Sequence, residues 1–216
     1  DFIEIAKGIA HLGHIPYENV FMSSRYLEGA ILVYLKKNNI IAPNKPPRPN
    51  KNFEGKFSGA YVQDPQKGKH EWVFDLDITS MYPSCIMSLN ISPETKIGKL
   101  EGWNPEEFLK KGHRKTYSIT NGETLLGRFT ETELEDYLEN RSIGVATNGV
   151  MYRTDKDGLL PALLRKWFDE RVEYRKLSKK FYEQGDKDRS DYFDRRQYLQ
   201  KIILNSLYGV LGLPSF

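Results

Sequence analysis

The stretch "VFDLDITSMYPSCI", residues 73–86, places two aspartates inside an otherwise apolar run and follows them with Tyr-Pro and a helix-like segment. A buried strand does not carry carboxylates unless something pairs with them. Alternate side chains of a strand share a face. Trp72, Phe74, Leu76 and Ile78 therefore form one apolar face, and Glu71, Val73, Asp75 and Asp77 point the other way. The aspartates belong on the open face of a sheet covered from behind, about 7 Å apart near the strand's end. Pro83 suits the first position of a helix that "SCIMSLN" continues. A strand turning into a helix exposes free backbone N–H groups, which favour anions and phosphate above all. A carboxylate beside such amides suits a divalent cation bound to a polyphosphate. The same residues also fit a half-exposed edge strand whose aspartates keep it soluble.

A second constellation lies near the end of the chain. At about 100° per residue, Leu199, Ile202, Ile203, Ser206 and Val210 fall on one side of a helix, and Lys201, Asn205 and Tyr208 on the opposite side. The preceding helix carries Arg171 and Arg175 on one stripe. Packed as a hairpin, the two helices converge cations and an amide on one groove, more charge than a neutral ligand needs and enough for a triphosphate. The bland reading is a pair of solvated faces, with Asp169, Glu170 and Glu173 pairing locally with the cations.

The rest of the chain gives these segments their setting. Its 216 residues allow one large domain or two small ones. Charged residues make up 28% and mean hydropathy is −0.59, a soluble globular composition. No apolar run approaches the roughly 18 residues of a membrane span. The opening "DFIEIAKGIA" lacks the basic start and cleavage site of a signal peptide, and both ends read as cut from a longer protein. The single cysteine, Cys85, excludes an internal disulfide and fits a reducing, cytoplasmic setting. Net charge is only +3, but residues 161–216 carry 12 Lys and Arg against 8 Asp and Glu, while the remainder carries 20 against 21.

Residues 1–40 read as mostly helical, with "SSRYLEGAILVYLKKNN" showing a Ser start and a basic end. "APNKPPRPNKN" (42–52) is a Pro-rich linker. "FSGAYVQD" and "HEWVFDLDI" read as a strand hairpin around "PQKGK". Residues 96–157 are mixed, with short helices at "NPEEFLKKG" and "TETELEDYLEN". "LLPALLRKWFDERVEYRKLSKKFYEQ" is a long helix, "GDKDRSD" breaks it, and a second helix starts at Tyr192. So short a connection sets the two antiparallel.

These segments together resemble the family B DNA polymerases. "DITSMYPS" resembles that family's first polymerase motif, Asp-x-x-Ser-Leu-Tyr-Pro-Ser, with Met81 for Leu. "KIILNSLYG" matches the second, Lys-x-x-x-Asn-Ser-x-Tyr-Gly. "FSGAYV" resembles the Tyr-x-Gly-Gly/Ala element, with Phe57 for Tyr. "NISPET" and "TNGVMYRTDKDGLLPALL" are most similar to the T-even-type bacteriophage replicative polymerases. The resemblance implies an α+β fold: part of a polymerase palm, with a small antiparallel or mixed sheet, plus a two-helix fingers subdomain. Residues 1–48 would end an exonuclease domain and connector, 49–157 begin the palm with an insertion, 158–213 form the fingers, and 214–216 start the returning palm.

By the same resemblance, Asp77 is the catalytic carboxylate, five residues before the motif tyrosine, and binds two Mg2+ ions with help from the Ile78 carbonyl. Backbone amides around Ser80, Met81 and Tyr82 hold the incoming nucleotide, and the Tyr82 ring blocks a 2′-hydroxyl. Arg171, Arg175, Lys201 and Asn205 grip the phosphates. Tyr208 and Gly209 border the nascent base pair, and Gly59, Ala60 and Tyr61 contact the template. The implied partners are primer-template DNA and deoxynucleoside triphosphates, with a sliding clamp and other replisome proteins beyond them, in host cytoplasm if phage-encoded, and no membrane.

The chain also departs from the family pattern and carries decoys. The family's second metal-binding motif, Tyr-x-Asp-Thr-Asp, lies beyond this chain, so the fragment is expected to be inactive alone. "YRTDKD" (152–157) lies upstream of the fingers and reads as a surface turn. Asp75 reads as solvated. His11 and His14 lack the further ligands of a zinc site, and no nuclease carboxylate motif is evident in the first 48 residues. A catalytically dead nucleotide- or nucleic-acid-binding module and one subunit of a split polymerase are the alternatives.

Overall fold

The computed structural model describes residues 2–42, 44, 61–110, 112 and 115–212. It is a mixed α+β structure that divides into two compact units, Asp1–Met81 with Lys201–Phe216, and Tyr82–Gln200. The linker lies almost entirely outside the described residues, as do Gly59 and Ala60.

In the first unit, helix α1 (Phe2–Gly13) leads through a short 3-10 turn (Tyr17–Asn19) to α2 (Ser23–Lys37). The expected basic end of α2 is present at Lys36 and Lys37, but Ser23 is inside the helix and Met22 takes the cap position without a side-chain hydrogen bond. Ala6, Ile9, Tyr26, Leu27, Ala30 and Leu35 are buried.

The first part of the strand pair expected on either side of "PQKGK", residues 57–60, lies outside the described residues, and the described remainder of the pair is not strand. Residues 61–80 contain no strand, and the alternating apolar face is in solvent: Trp72 is 88% exposed, Phe74 84% and Leu76 95%. The period-two pattern is genuine, but a strand is completed only by a neighbour that takes its N–H and C=O groups. Among the described residues nothing offers that ladder, and the whole sheet is built from 96–153.

The second unit starts with α3 (Met81–Ser88), whose first residue belongs to the other unit by contact. Pro83 is its third residue rather than its first, still within the turn where a missing N–H costs nothing. Five strands follow: β1 (Lys96–Glu101), β2 (Thr116–Asn121), β3 (Thr124–Thr130), β4 (Ile143–Val145) and β5 (Val150–Arg153). They form one antiparallel sheet in the order β3-β2-β1-β5-β4. Helices α4 (Pro105–Lys110) and α5 (Glu131–Asn140) accompany it. Leu100, Tyr117, Ile119, Leu134 and Met151 make the core, flanked by Trp103, Phe108, Phe129 and Tyr137.

Both short helices start as their caps require. Asn104 Oδ1 accepts from the Glu106 N–H at 3.0 Å. Thr130 and Glu133 form a reciprocal capping box, and the Thr130 N–H, then its hydroxyl, hold the Glu133 carboxyl below its ordinary value. "YRTDKD" is part strand: Tyr152 and Arg153 belong to β5, and only the residues after them form the turn, where Arg153 pairs with Asp155 at 2.7 Å.

Gly149 has a φ of +84°, and a Cβ there would sit 2.7 Å from the Leu100 carbonyl oxygen and 3.0 Å from Trp103 Cβ. Both backbone and space therefore require glycine. Gly149→Ala is expected to cost about 1–3 kcal/mol, read as a lowered thermal midpoint, whereas Gly122→Ala, where nothing lies within 4 Å, costs only its positive φ.

Candidate active site

The long hairpin expected from the sequence is present as α6 (Leu159–Glu183) and α7 (Lys187–Leu211). Helix α7 begins at Lys187, five residues earlier than Tyr192, because Asp186 caps it: its Oδ1 accepts from the Arg189 N–H at 3.1 Å. The actual break is Gln184–Asp186, with Gly185 at a φ of +78°. Within the second unit the helices are cross-linked in register. Ser178 and Ser190 exchange hydrogen bonds at 3.1 and 3.0 Å, and the Phe181 and Phe193 rings stack at 5.5 Å. Near the other end Gln200, buried, donates to Glu170 Oε2 at 2.6 Å.

Helix α6 brings Arg171 and Arg175 together. Burial lowers the Arg171 guanidinium from its ordinary pKa, and the neighbouring Arg175 charge lowers it further. Two cations that disfavour each other's charge on a helix face are relieved by an anion placed between them. Glu170 meets Gln200 and Lys166.

The last turns of α7 belong to the first unit. Leu199, Ile203, Leu204, Leu207 and Val210 are buried, while Lys201, Asn205, Tyr208 and Gly209 are exposed. The stripe expected at i, i+4 and i+7 is therefore open to solvent, and the apolar side is broader than expected by Leu204 and Leu207. Ser206 of the same motif has a structural task that sequence did not disclose. The buried Tyr26 hydroxyl donates to Ser206 Oγ at 2.7 Å, fastening α2 to α7, and Ser206 donates onward to the Ile202 carbonyl at 2.8 Å. Burial raises the Tyr26 pKa against that hydrogen bond.

Asp75, Asp77 and Ile78 lie on the extended, exposed segment, and Tyr61 is exposed as well. Ser80 has a φ of +51°, a left-handed residue immediately before α3 that turns the chain into the helix carrying Met81 and Tyr82. Among the described residues no group of three or more His, Cys, Asp or Glu could hold a metal ion. His11 and His14 sit with ring centroids 6.3 Å apart.

The site feature that sequence reasoning missed lies after α3. Helix α6 starts at Leu159, its N-cap Gly158 offers no side-chain cap, and the N–H groups there are met from residues 90–94. Asn90 Oδ1 accepts from Gly158 N–H at 2.8 Å, Glu94 Oε1 from Leu159 N–H, and Ser92 Oγ from Leu160 N–H at 3.4 Å. The next residue, Pro161, has no N–H to satisfy. Asn90 also donates to the carbonyls of Arg153 and Lys156 at 2.6 and 2.8 Å. A Cβ on Gly158 would meet Ser92 Cβ at 2.7 Å, so only glycine lets the two segments approach. The Ser-Pro-Glu-Thr run was a visible capping signal, but its partner lies 65 residues on.

The fold is a mixed α+β one, and the comparisons specify its family. The family model for DNA polymerase family B matches residues 16–215, and this chain belongs to that family. It is 26% identical over 174 residues to the DNA-directed DNA polymerase of Escherichia phage RB69, covering 81% of this chain and 16% of that protein. It is 27% identical over 216 residues to DNA polymerase 1 of Pyrococcus abyssi, covering 98% of this chain and 23% of the relative. A solved family B DNA polymerase from Pyrobaculum calidifontis has a similar fold, with a TM-score of 0.63 at 23% identity over 99% of this chain and 23% of that one. The chain thus spans less than a quarter of the length of these relatives.

Tyr26→Phe removes the hydroxyl that Ser206 receives while keeping the ring. It is expected to cost about 1 kcal/mol, seen as a fall of roughly 2–4 °C in thermal midpoint for a chain of this size.

Proposed function

We propose that this chain is the palm-start and fingers segment of a replicative DNA polymerase, which adds deoxynucleotides to a primer 3′-hydroxyl by phosphoryl transfer. The observation that carries the reading is the open stripe of Lys201, Asn205 and Tyr208 at the end of α7, in a chain of family B. Residues 1–48, 49–157, 158–213 and 214–216 are assigned as exonuclease end with connector, early palm with insertion, fingers, and returning palm.

Phosphoryl transfer is mostly positioning and charge neutralisation. Arg171, Arg175, Lys201 and Asn205 supply the positive and hydrogen-bonding groups for the triphosphate. Backbone amides at Ser80, Met81 and Tyr82 supply further donors, aided by the left-handed turn at Ser80. The Tyr82 ring, near the start of α3, excludes a 2′-hydroxyl. Tyr208 and Gly209 face the nascent base pair, and Gly59, Ala60 and Tyr61 face the template. Fingers closing over the nucleotide complete the arrangement.

Two Mg2+ ions are the proposed cofactors of the whole polymerase, and they would activate the primer hydroxyl and stabilise the departing pyrophosphate. Asp77, with the Ile78 carbonyl, is this chain's contribution to holding them. The described residues assemble no further ligand cluster around it, so the chain does not fit a two-ion site by itself.

In the complete polymerase, Asp77→Asn is expected to reduce primer extension below detection while leaving primer-template affinity unchanged; retained extension removes Asp77 from the site. Tyr82→Ala is expected to admit ribonucleotides, measured as incorporation of ribo- against deoxynucleotides on one template. Residues 1–216 alone are expected to give no extension.

A further inference from the structure

We propose that Asn90, Ser92 and Glu94 are positioning residues of the nucleotide site, coupling the helix that reads the sugar to the helix that grips the phosphates. The inference rests on the polymerase reading above and adds a determinant of substrate geometry to it.

Helix α3 carries Tyr82, and α6 carries Arg171 and Arg175; all belong to the same compact unit. The chain between α3 and β1 is short, and it contains the three side chains that hold the start of α6. An α-helix leaves its first N–H groups without partners and is normally capped by its own preceding side chain. Helix α6 is not: Gly158 has no side chain, and the acceptors come from Asn90, Ser92 and Glu94.

The three acceptors are themselves fixed. Ser92 donates its hydroxyl to Glu94 Oε2 at 2.7 Å while accepting from Leu160, so the two caps hold one another. Thr95 donates to the Asn90 carbonyl, and its Oγ1 accepts from the Ser92 N–H at 3.1 Å. Asn90, Ser92 and Thr95 are all buried, and Asn90 spends its amide hydrogens on the turn leading into α6. A buried polar network with its members satisfied is rigid and specifies one geometry. The Glu94 carboxylate also sits at the positive end of the α6 dipole.

The consequence is that the root of α6 is pinned to the segment that leaves α3, so that α6 swings from one fixed point when the proposed fingers close. A nucleotide's sugar, against Tyr82, and its phosphates, against Arg171 and Arg175, are then registered by the same joint. Loosening the joint misaligns one contact relative to the other, so nucleotide affinity and sugar choice degrade together.

The test uses the full polymerase containing these residues, with primer extension over a range of deoxy- and ribonucleotide concentrations. Glu94→Ala is expected to raise KM for the deoxynucleotide about tenfold and to weaken sugar discrimination, with kcat within about threefold, the signature of lost substrate positioning. Glu94→Gln keeps an oxygen for the Leu159 N–H and is expected to recover most of both. Amide exchange at Leu159 and Leu160 is expected to accelerate in Glu94→Ala and not in Glu94→Gln. Should Glu94→Ala fail to fold, Ser92→Ala removes the acceptor of the Leu160 N–H at 3.4 Å and the 2.7 Å hydrogen bond to Glu94, and is read the same way.

A folded Glu94→Ala with faster amide exchange but unchanged KM and sugar preference overturns the proposal, as does a defect that Glu94→Gln fails to rescue. Wild-type protein that extends no primer overturns the polymerase reading first and this inference with it. Active wild type with an indifferent variant overturns this inference alone.

Discussion

Three backbone N–H groups at the start of α6 have no acceptor in their own helix, and the second unit is organised around meeting that need. Water could serve them at the surface, as at the exposed Leu159–Glu94 hydrogen bond, but Gly158, Leu160, Pro161, Leu163 and Leu164 are buried, and the N–H groups of Gly158 and Leu160 need protein acceptors. An unmet buried donor costs about 1–3 kcal/mol, which is a large share of the stability of a small domain. Asn90, Ser92 and Glu94 remove that cost. Gly158 is the geometric condition for it, because any side chain there would collide with Ser92 and Thr95.

From that anchor the rest of the unit follows. Strand β1 begins directly after Thr95 and carries the turn into the sheet, while Asn90 holds the segment that leaves β5. The sheet closes over a core of Leu100, Tyr117, Ile119, Leu134 and Met151. Farther along the hairpin, aliphatic packing gives way to aromatic: Tyr174, Phe181 and Phe193 stack, and Arg196 covers the Tyr174 ring at 5.4 Å. Rings with a guanidinium over them help to keep the two helices packed.

What could be read from sequence divides along the range of the interactions. Helices α4, α5 and α6 and the middle of α7 were legible because caps, Pro161 and basic ends act within a few residues. The exposed stripe of Lys201, Asn205 and Tyr208 followed from helical spacing alone. The five-stranded sheet went unseen although Asn121-Gly122 after the alternating Thr116–Thr120 is a hairpin signal. At 71–78 the alternation pointed to a strand, and among the described residues no strand pairs with it. The α6 anchor was not legible because its two halves lie more than 60 residues apart, and no local propensity encodes that meeting.

Helix α6 runs for 25 residues from its anchored end, about 37 Å at 1.5 Å per residue. Such a rod amplifies whatever happens at its root. A tilt of about 10° there carries the far tip about 6 Å and Arg171, near the midpoint, about 3 Å, comparable to a whole hydrogen bond. On the proposal above, the placement of the Arg171 guanidinium is governed by a carboxylate about three turns away, and a mutation there acts through leverage rather than through contact.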